Sequence, residues 1–422
     1  MFTDVRDMKQ KMFFRWTPFL TVTLLVLICT IGGVCFSACA NEPTGARWVG
    51  TWGTAVQLVE THNNPPEPGL SNHTIRQIVR VSIGGARLQM KFSNEFSSKS
   101  VTLKAVHLAV STGGSTIDAS TDKALSFNGL PEVTLKPGAT ITSDPFQFAL
   151  SPLSEVAVTL YLGETSPDIT GHPGSRTTSY LLPGNEVGNV NFAAAVTTDH
   201  WYIIHAIDVM APDSSSALVI LGNSITDGRG SGTNKQNRWT DELARRFQAN
   251  IATQHVGVLN KGLGGNCVLG TCLGPSALSR LERDVIDQSG IRWVVLFEGI
   301  NDIGNSGEPG VGKKLIEAYR QMIDKAHTKG ILVYGATLLP MRGNGYFSEA
   351  HEMEREIVNE WIRSSGAFDA VIDLEKAIQN PDDAQSLLPA ADTGDHLHPN
   401  EIGHRMLGEA VDLGLFLPSK TN

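Results

Sequence analysis

The feature that most restricts the fold is a change of hydrophobic rhythm near Ser214-Ser215-Ser216. Ahead of it, from about Trp48 to Ala211, apolar residues alternate with period two, as in Thr74 to Ile83, Arg87 to Ser93, Val101 to Val110, Glu155 to Leu162 and Trp201 to Met210. Alternation of this kind puts apolar side chains on one face of a strand. Breaks such as Gly113-Gly114-Ser115, Lys136-Pro137-Gly138 and Pro173-Gly174-Ser175 supply turns between the strands. The pattern predicts an antiparallel β-sandwich or jelly roll over 46–212. Beyond the seam, short apolar runs (Ala217 to Leu221, His255 to Leu259, Trp293 to Phe297, Ile331 to Ala336, Ala370 to Leu374) alternate with helical patterns at Arg238 to Gln248, Ser276 to Asp287, Val311 to Thr328 and Ser348 to Arg363. A last helix follows Pro399, which suits a first helical turn. Strand and helix in alternation predict a three-layer, flavodoxin-like α/β domain over 217–418, built on a parallel five-stranded sheet with right-handed crossovers. Sites in such sheets lie at the carboxyl ends of the strands.

Two domains agree with a length of 422 residues, since a single core serves roughly 100 to 200. A hydrophobic fraction of 41% is ample for two cores, and a formal charge of -9 offers phosphates no basic surface, which argues against nucleic acid as a partner. The first residues have another character. Lys9, Lys11 and Arg15 precede an apolar run from Phe19 to Val34 that ends in small residues, the pattern of an export signal over 1–39, with a retained anchor as the alternative. Phe36-Ser37-Ala38-Cys39 resembles a lipobox that would make Cys39 a lipid-bearing N-terminus and the only link to a membrane; Ala38-Cys39-Ala40 fits ordinary signal cleavage instead. The expected location is the bacterial cell envelope, the periplasm or the medium. There, Cys267 and Cys272 either close a small disulfide or stay as buried thiols.

Residues able to do chemistry gather after the predicted strands. Leu221-Gly222-Asn223-Ser224-Ile225-Thr226-Asp227-Gly228 follows the first and sets a serine at a glycine-bounded turn, without the G-x-S-x-G order of α/β-hydrolases. Asn260-Lys261-Gly262-Leu263-Gly264-Gly265-Asn266 follows the second and frees backbone N–H groups to face a ligand. Gly299-Ile300-Asn301-Asp302 follows the third and offers a side-chain amide. Asp395-His396-Leu397-His398-Pro399 can supply a general base and the carboxylate that orients it. Each stretch alone is also a plain turn or cap; their order and placement carry the reading. A metal reading of Asp395, His396, His398 and His404 lacks a second ligand cluster, and no cofactor is expected.

Together these stretches resemble the four signature blocks of the SGNH/GDSL hydrolase family, over about Ala217 to Phe416. The resemblance implies a serine esterase acting through an acyl-enzyme, with Ser224 as nucleophile, His398 as base and Asp395 as its partner. It implies an oxyanion hole from the Ser224 and Gly265 backbone N–H groups and the Asn301 side chain. Asn223 departs from the family's usual Gly-Asp-Ser, which puts in doubt the local contacts an Asp would make. The β region, through Trp48 to Trp52 and Ser93-Asn94-Glu95-Phe96, is similar to that of bacterial xylan and other carbohydrate esterases. That similarity implies an acetylated poly- or oligosaccharide as substrate. The alternatives are a lipase or lysophospholipase for longer acyl chains, and a lipid-anchored glycan-binding protein without catalysis. Trp52 is read either as a sugar-stacking platform or as sandwich core.

Overall fold

The computed structural model describes residues 45–307 and 309–417; the predicted export segment, with Cys39, lies outside them. Antiparallel strands build the first half. One sheet runs β1 (Ala46–Gly53), β9 (Ile204–Pro212), β3 (Gly85–Ser93), β5 (Phe146–Leu150). The other runs β8 (Val196–Thr198), β7 (Ser179–Pro183), β2 (His73–Arg80), β6 (Glu155–Leu162), β4 (Val101–Gly113). Alternate residues of both sheets, including Leu88, Met90 and Phe92 on one side and Val106, Leu108, Val158 and Leu160 on the other, meet in one buried cluster. This is the two-sheet antiparallel packing that the period-two pattern predicts; the jelly-roll order remains an expectation. The predicted run from Trp201 to Met210 is broken at Ile203, whose φ of 69° takes a β-branched residue into the left-handed region.

The second half is a parallel sheet in the order β11 (Val256–Gly262), β10 (Ser216–Gly222), β12 (Ile291–Phe297), β13 (Leu332–Ala336), β14 (Ala370–Ile372). Val219 and Leu221 face a layer of α2 (Val311–His327) and α3 (Glu349–Ser364), while Leu218 and Ile220 face α1 (Trp239–Ala249) and α4 (Glu401–Ala410). A strand covered on both faces has no polar side, which is why these segments read as unbroken apolar runs. Of the helix predicted around Ser276 to Asp287, only Ala277–Leu281 is α-helical; Glu282–Ile286 opens into a π turn. Pro399 lies before the last helix rather than in its first turn. Asn400 is the N-cap, its side chain accepting from Ile402 and Gly403 N–H.

Contacts join the described residues of both halves into one unit. β1 lies on the edge strand β11, with Gly50 so close to Leu259 that a Cβ there would stand 2.8 Å from its Cδ1, and with Gly257 closing on the Gly50 carbonyl. Lys261, fully buried, donates to the Thr54 carbonyl at 2.7 Å across the same junction. Among the described residues, no helix is long and apolar enough to cross a membrane.

Candidate active site

The turn after β10 is a single helical turn, Ser224–Asp227, capped by Asn223, whose Oδ1 accepts from Ile225 N–H at 3.0 Å. Ser224 occupies its first position, where an N–H has no intrahelical partner and can face a ligand. Gly228, with φ of 108°, ends the turn at a backbone angle that a side chain would strain. The last block closes over this turn. Ser224 Oγ lies 2.8 Å from His398 Nε2, and His398 Nδ1 lies 2.6 Å from Asp395 Oδ2. Asp395 Oδ1 accepts from the backbone N–H of His398 at 2.8 Å and Leu397 at 3.0 Å. Burial alone would raise the Asp395 carboxyl, but the His398 N–H, ring and charge hold it well below the usual carboxylate range. Burial is also the main cause that lowers His398 below the ordinary imidazole value, so the ring is neutral near pH 7 and able to accept a proton.

The donors stand beside it. Asn301, at the start of the short helix Ile300–Gly304, has its amide fixed at both ends: Nδ2 donates to the Asn266 carbonyl at 2.7 Å, and Oδ1 accepts from Tyr346 OH at 3.2 Å. One amide hydrogen remains for a third partner. Gly265 has φ of 65°, and a Cβ there would stand 2.7 Å from Leu273 Cδ1, so the backbone can present itself only as glycine. The loop that carries it is anchored by Asp302, which accepts from Val268 N–H at 2.8 Å and Leu269 N–H at 2.9 Å, and by a disulfide between Cys267 and Cys272. A relay of serine, imidazole and carboxylate is an arrangement that can form a tetrahedral oxyanion, which N–H donors would stabilise.

The sequence reading missed several residues that hold this frame. Arg280, fully buried, donates to the carbonyls of Gly222 (3.0 Å) and Lys261 (2.8 Å) and to Asn266 Oδ1 (3.0 Å), tying two strand ends to the donor loop. Glu298 accepts from Asn223 Nδ2 at 3.1 Å, and burial pushes its carboxyl up to about 8. This contact accounts for Asn223, because an Asp there would set a second carboxylate against Glu298. From the β region, His172 places Nε2 2.8 Å from Asp227 Oδ1 and Nδ1 2.8 Å from the Ala55 carbonyl, with both side chains buried. Both ring nitrogens therefore face an oxygen. His172 stacks on Trp201, and Trp52 packs edge-on against the same ring at 5.2 Å, which makes Trp52 core. A single charged residue before Gly299, and a His between Gly171 and Pro173, were the only traces of these in the sequence.

The remaining histidines of the last block do not converge. His396 is exposed and pairs with Asp392 at 2.7 Å. His404 is buried, accepts from Trp239 N–H at 3.3 Å and reaches the Arg229 carbonyl at 3.0 Å; burial pulls it down to about 4. Among the described residues, no group of three His, Cys, Asp or Glu side chains is arranged to hold a metal ion.

Residues 220–406 match a family described as the GDSL-like Lipase/Acylhydrolase family. No curated protein matches the chain by sequence. Solved structures similar to it include an acetyl xylan esterase, AlAXEase (22% identity, 46% of this chain and 96% of that one, TM-score 0.36). Others are Est24, a carbohydrate acetylesterase from Sinorhizobium meliloti (15%, 46% and 96%, 0.37), and a member of the lipolytic protein G-D-S-L family from Veillonella parvula (19%, 46% and 96%, 0.34).

Proposed function

From the premise that residues 220–406 form a domain of the GDSL-like lipase/acylhydrolase family, a carboxylic ester hydrolase, we propose that the chain removes short acyl groups, acetyl above all, from carbohydrate. His398 takes the Ser224 proton as the hydroxyl oxygen attacks the ester carbonyl. The oxyanion is met by the N–H groups of Ser224 and Gly265 and by the Asn301 amide. The proton passes from His398 to the departing sugar hydroxyl, and water repeats the sequence on the acyl-enzyme. Asp395 keeps Nδ1 protonated and steadies the imidazolium.

The observation that carries the substrate reading is the lining of the cavity beside the donor loop. Its polar members include Gln57, Glu60, Asn63, Arg176 and His200, and Pro173, Leu263 and Leu273 are its aliphatic ones. Planar polar side chains suit a hydroxyl-rich group, whereas a long acyl chain calls for a continuous apolar channel. Export, with or without lipid at Cys39, fits a polymer met outside the cell and is tested by mass analysis of the mature N-terminus.

The deciding experiment compares wild type and Ser224→Ala on acetylated xylan and on nitrophenyl esters of increasing chain length. Acetate release that depends on Ser224 and falls steeply beyond short chains is the expected result, with turnover in Ser224→Ala reduced by at least about 10⁴-fold and Tm nearly unchanged. A preference for long chains would replace this reading with a lipase, and silence on both sets, with polysaccharide still bound, with a binding protein.

A further inference from the structure

Within that reading, we propose that the cavity between the Pro173 to Arg176 turn and the donor loop is a subsite for a carboxylate on the substrate. The carboxylate is that of a uronic acid unit, at or next to the acetylated sugar, and it is held by the Arg176 guanidinium.

The cavity measures about 200 Å³. The β region supplies one wall through Gln57, Glu60, Asn63 and Arg176, and the donor loop supplies the other through Gly264 and Leu273. Leu273, which lines the cavity, also lies beside Gly265, so a group seated here is next to the donor loop. Most polar groups of the wall already have partners. Glu60 accepts from Gln57 Nε2 at 2.6 Å and from Asn63 Nδ2 at 3.1 Å, and Asp227 is paired with His172.

Arg176 is different. Its Nε is buried without a hydrogen-bond partner, and no carboxylate among the described residues forms an ion pair with it. An unmet buried donor is destabilising, more so when charged. Its backbone is also unusual, with φ of 51° on a non-glycine residue, fixed where Asn234 N–H donates to the Arg176 carbonyl at 2.9 Å. Strain of this kind persists where surrounding structure imposes it, commonly at ligand clamps.

Charge points the same way. In a chain of formal charge -9, two guanidinium groups, Arg229 and Arg176, act on the His398 ring. Besides burial, both lower its basicity, which works against the imidazolium formed during attack. An anion on the substrate would offset them. A hydroxyl could accept one N–H, but a carboxylate accepts two in parallel and cancels the charge.

The test uses a matched pair: methyl glucuronoside, mono-acetylated at O2 or O3, and its glucuronamide, which keeps shape and removes charge. Acetate release is followed at low and high salt for wild type, Arg176→Gln and Arg176→Lys. Wild type should favour the uronate by roughly tenfold in kcat/KM, with most of the preference lost at high salt. Arg176→Gln should bring the ratio near one, and Arg176→Lys should restore part of it. Equal cleavage of the pair by wild type, or a preference that survives in folded Arg176→Gln, overturns the subsite alone. Cleavage of nitrophenyl acetate with neither sugar ester touched overturns the carbohydrate reading and the subsite with it. If Arg176→Gln does not fold, the wild-type ratio and its salt response decide.

Discussion

In the α/β region the proposed reacting groups stand at the ends of strands and come in short blocks: His398 meets Asp395 three residues away and Asn223 caps the turn that begins with Ser224, although Ser224 and His398 themselves meet across 174 positions. The β region reaches the same site through residues drawn from separate turns. His172 contacts Asp227 across 55 positions, and the segment with Gln57 and Glu60 lines the cavity together with the distant Arg176. One region carries the chemistry in short blocks; the other braces and walls it through packing. Hydrolase chemistry can therefore be tested in the first region and its steering in the second.

The largest effect should come from the donor set. Asn301→Ala is expected to lower kcat about 10²- to 10³-fold with little change in KM, because the amide acts on charge that develops only in the transition state. A change confined to KM would remove Asn301 from the oxyanion hole and blur the division between the regions.

Next comes the brace between them. His172→Ala leaves the Asp227 carboxylate buried without its partner, so Tm should fall by roughly 5–10 °C and kcat should fall with it. Adding Asp227→Asn removes the stranded charge and should recover much of the stability. If His172→Ala altered neither Tm nor kcat, the β region would not brace the nucleophile turn.

The smallest effect is a pH dependence within the α/β region. Glu298 has a folded-state pKa raised by burial from 4.5 to about 8, so the folded state favours its protonated form. Its contribution to stability is full below about pH 4.5 and is lost as pH rises through about 8. Relative to Glu298→Gln, wild type should therefore lose a few degrees of Tm across that interval. Parallel Tm curves for the two proteins would show that Glu298 stays ionised throughout.

The blocks proposed to carry catalysis were legible because each is local. A turn after an apolar run, a glycine where φ must be positive and an Asp three residues before a His leave marks that need no knowledge of distant contacts. The parallel sheet was legible for a related reason, since burial on both faces removes polar residues from the strands. Where the reading missed, the cause lay in three dimensions. The helix predicted to Asp287 changes to a π turn at Glu282, next to the buried Arg280–Asp284 and Arg283–Asp284 pairs. Pro399 yields the helix start to Asn400 because the Asn side chain can accept from two N–H groups that Pro leaves unmet.

The sequence by itself determined the order of elements, the two hydrophobic rhythms and the four stretches after the strands, which follow from chain-local periodicity and turn chemistry, while the family resemblance pointed within them to Ser224, His398, Asp395, Gly265 and Asn301. Only the tertiary structure decided that His172 closes on Asp227, that Asn223 answers Glu298 and that Arg176, with a buried Nε that lacks a partner, lines the cavity beside the donor loop. An isolated His, Glu or Arg has the same local pattern whether solvated or buried. Its role is set by which distant acceptors folding brings to it and by how much water is removed around them.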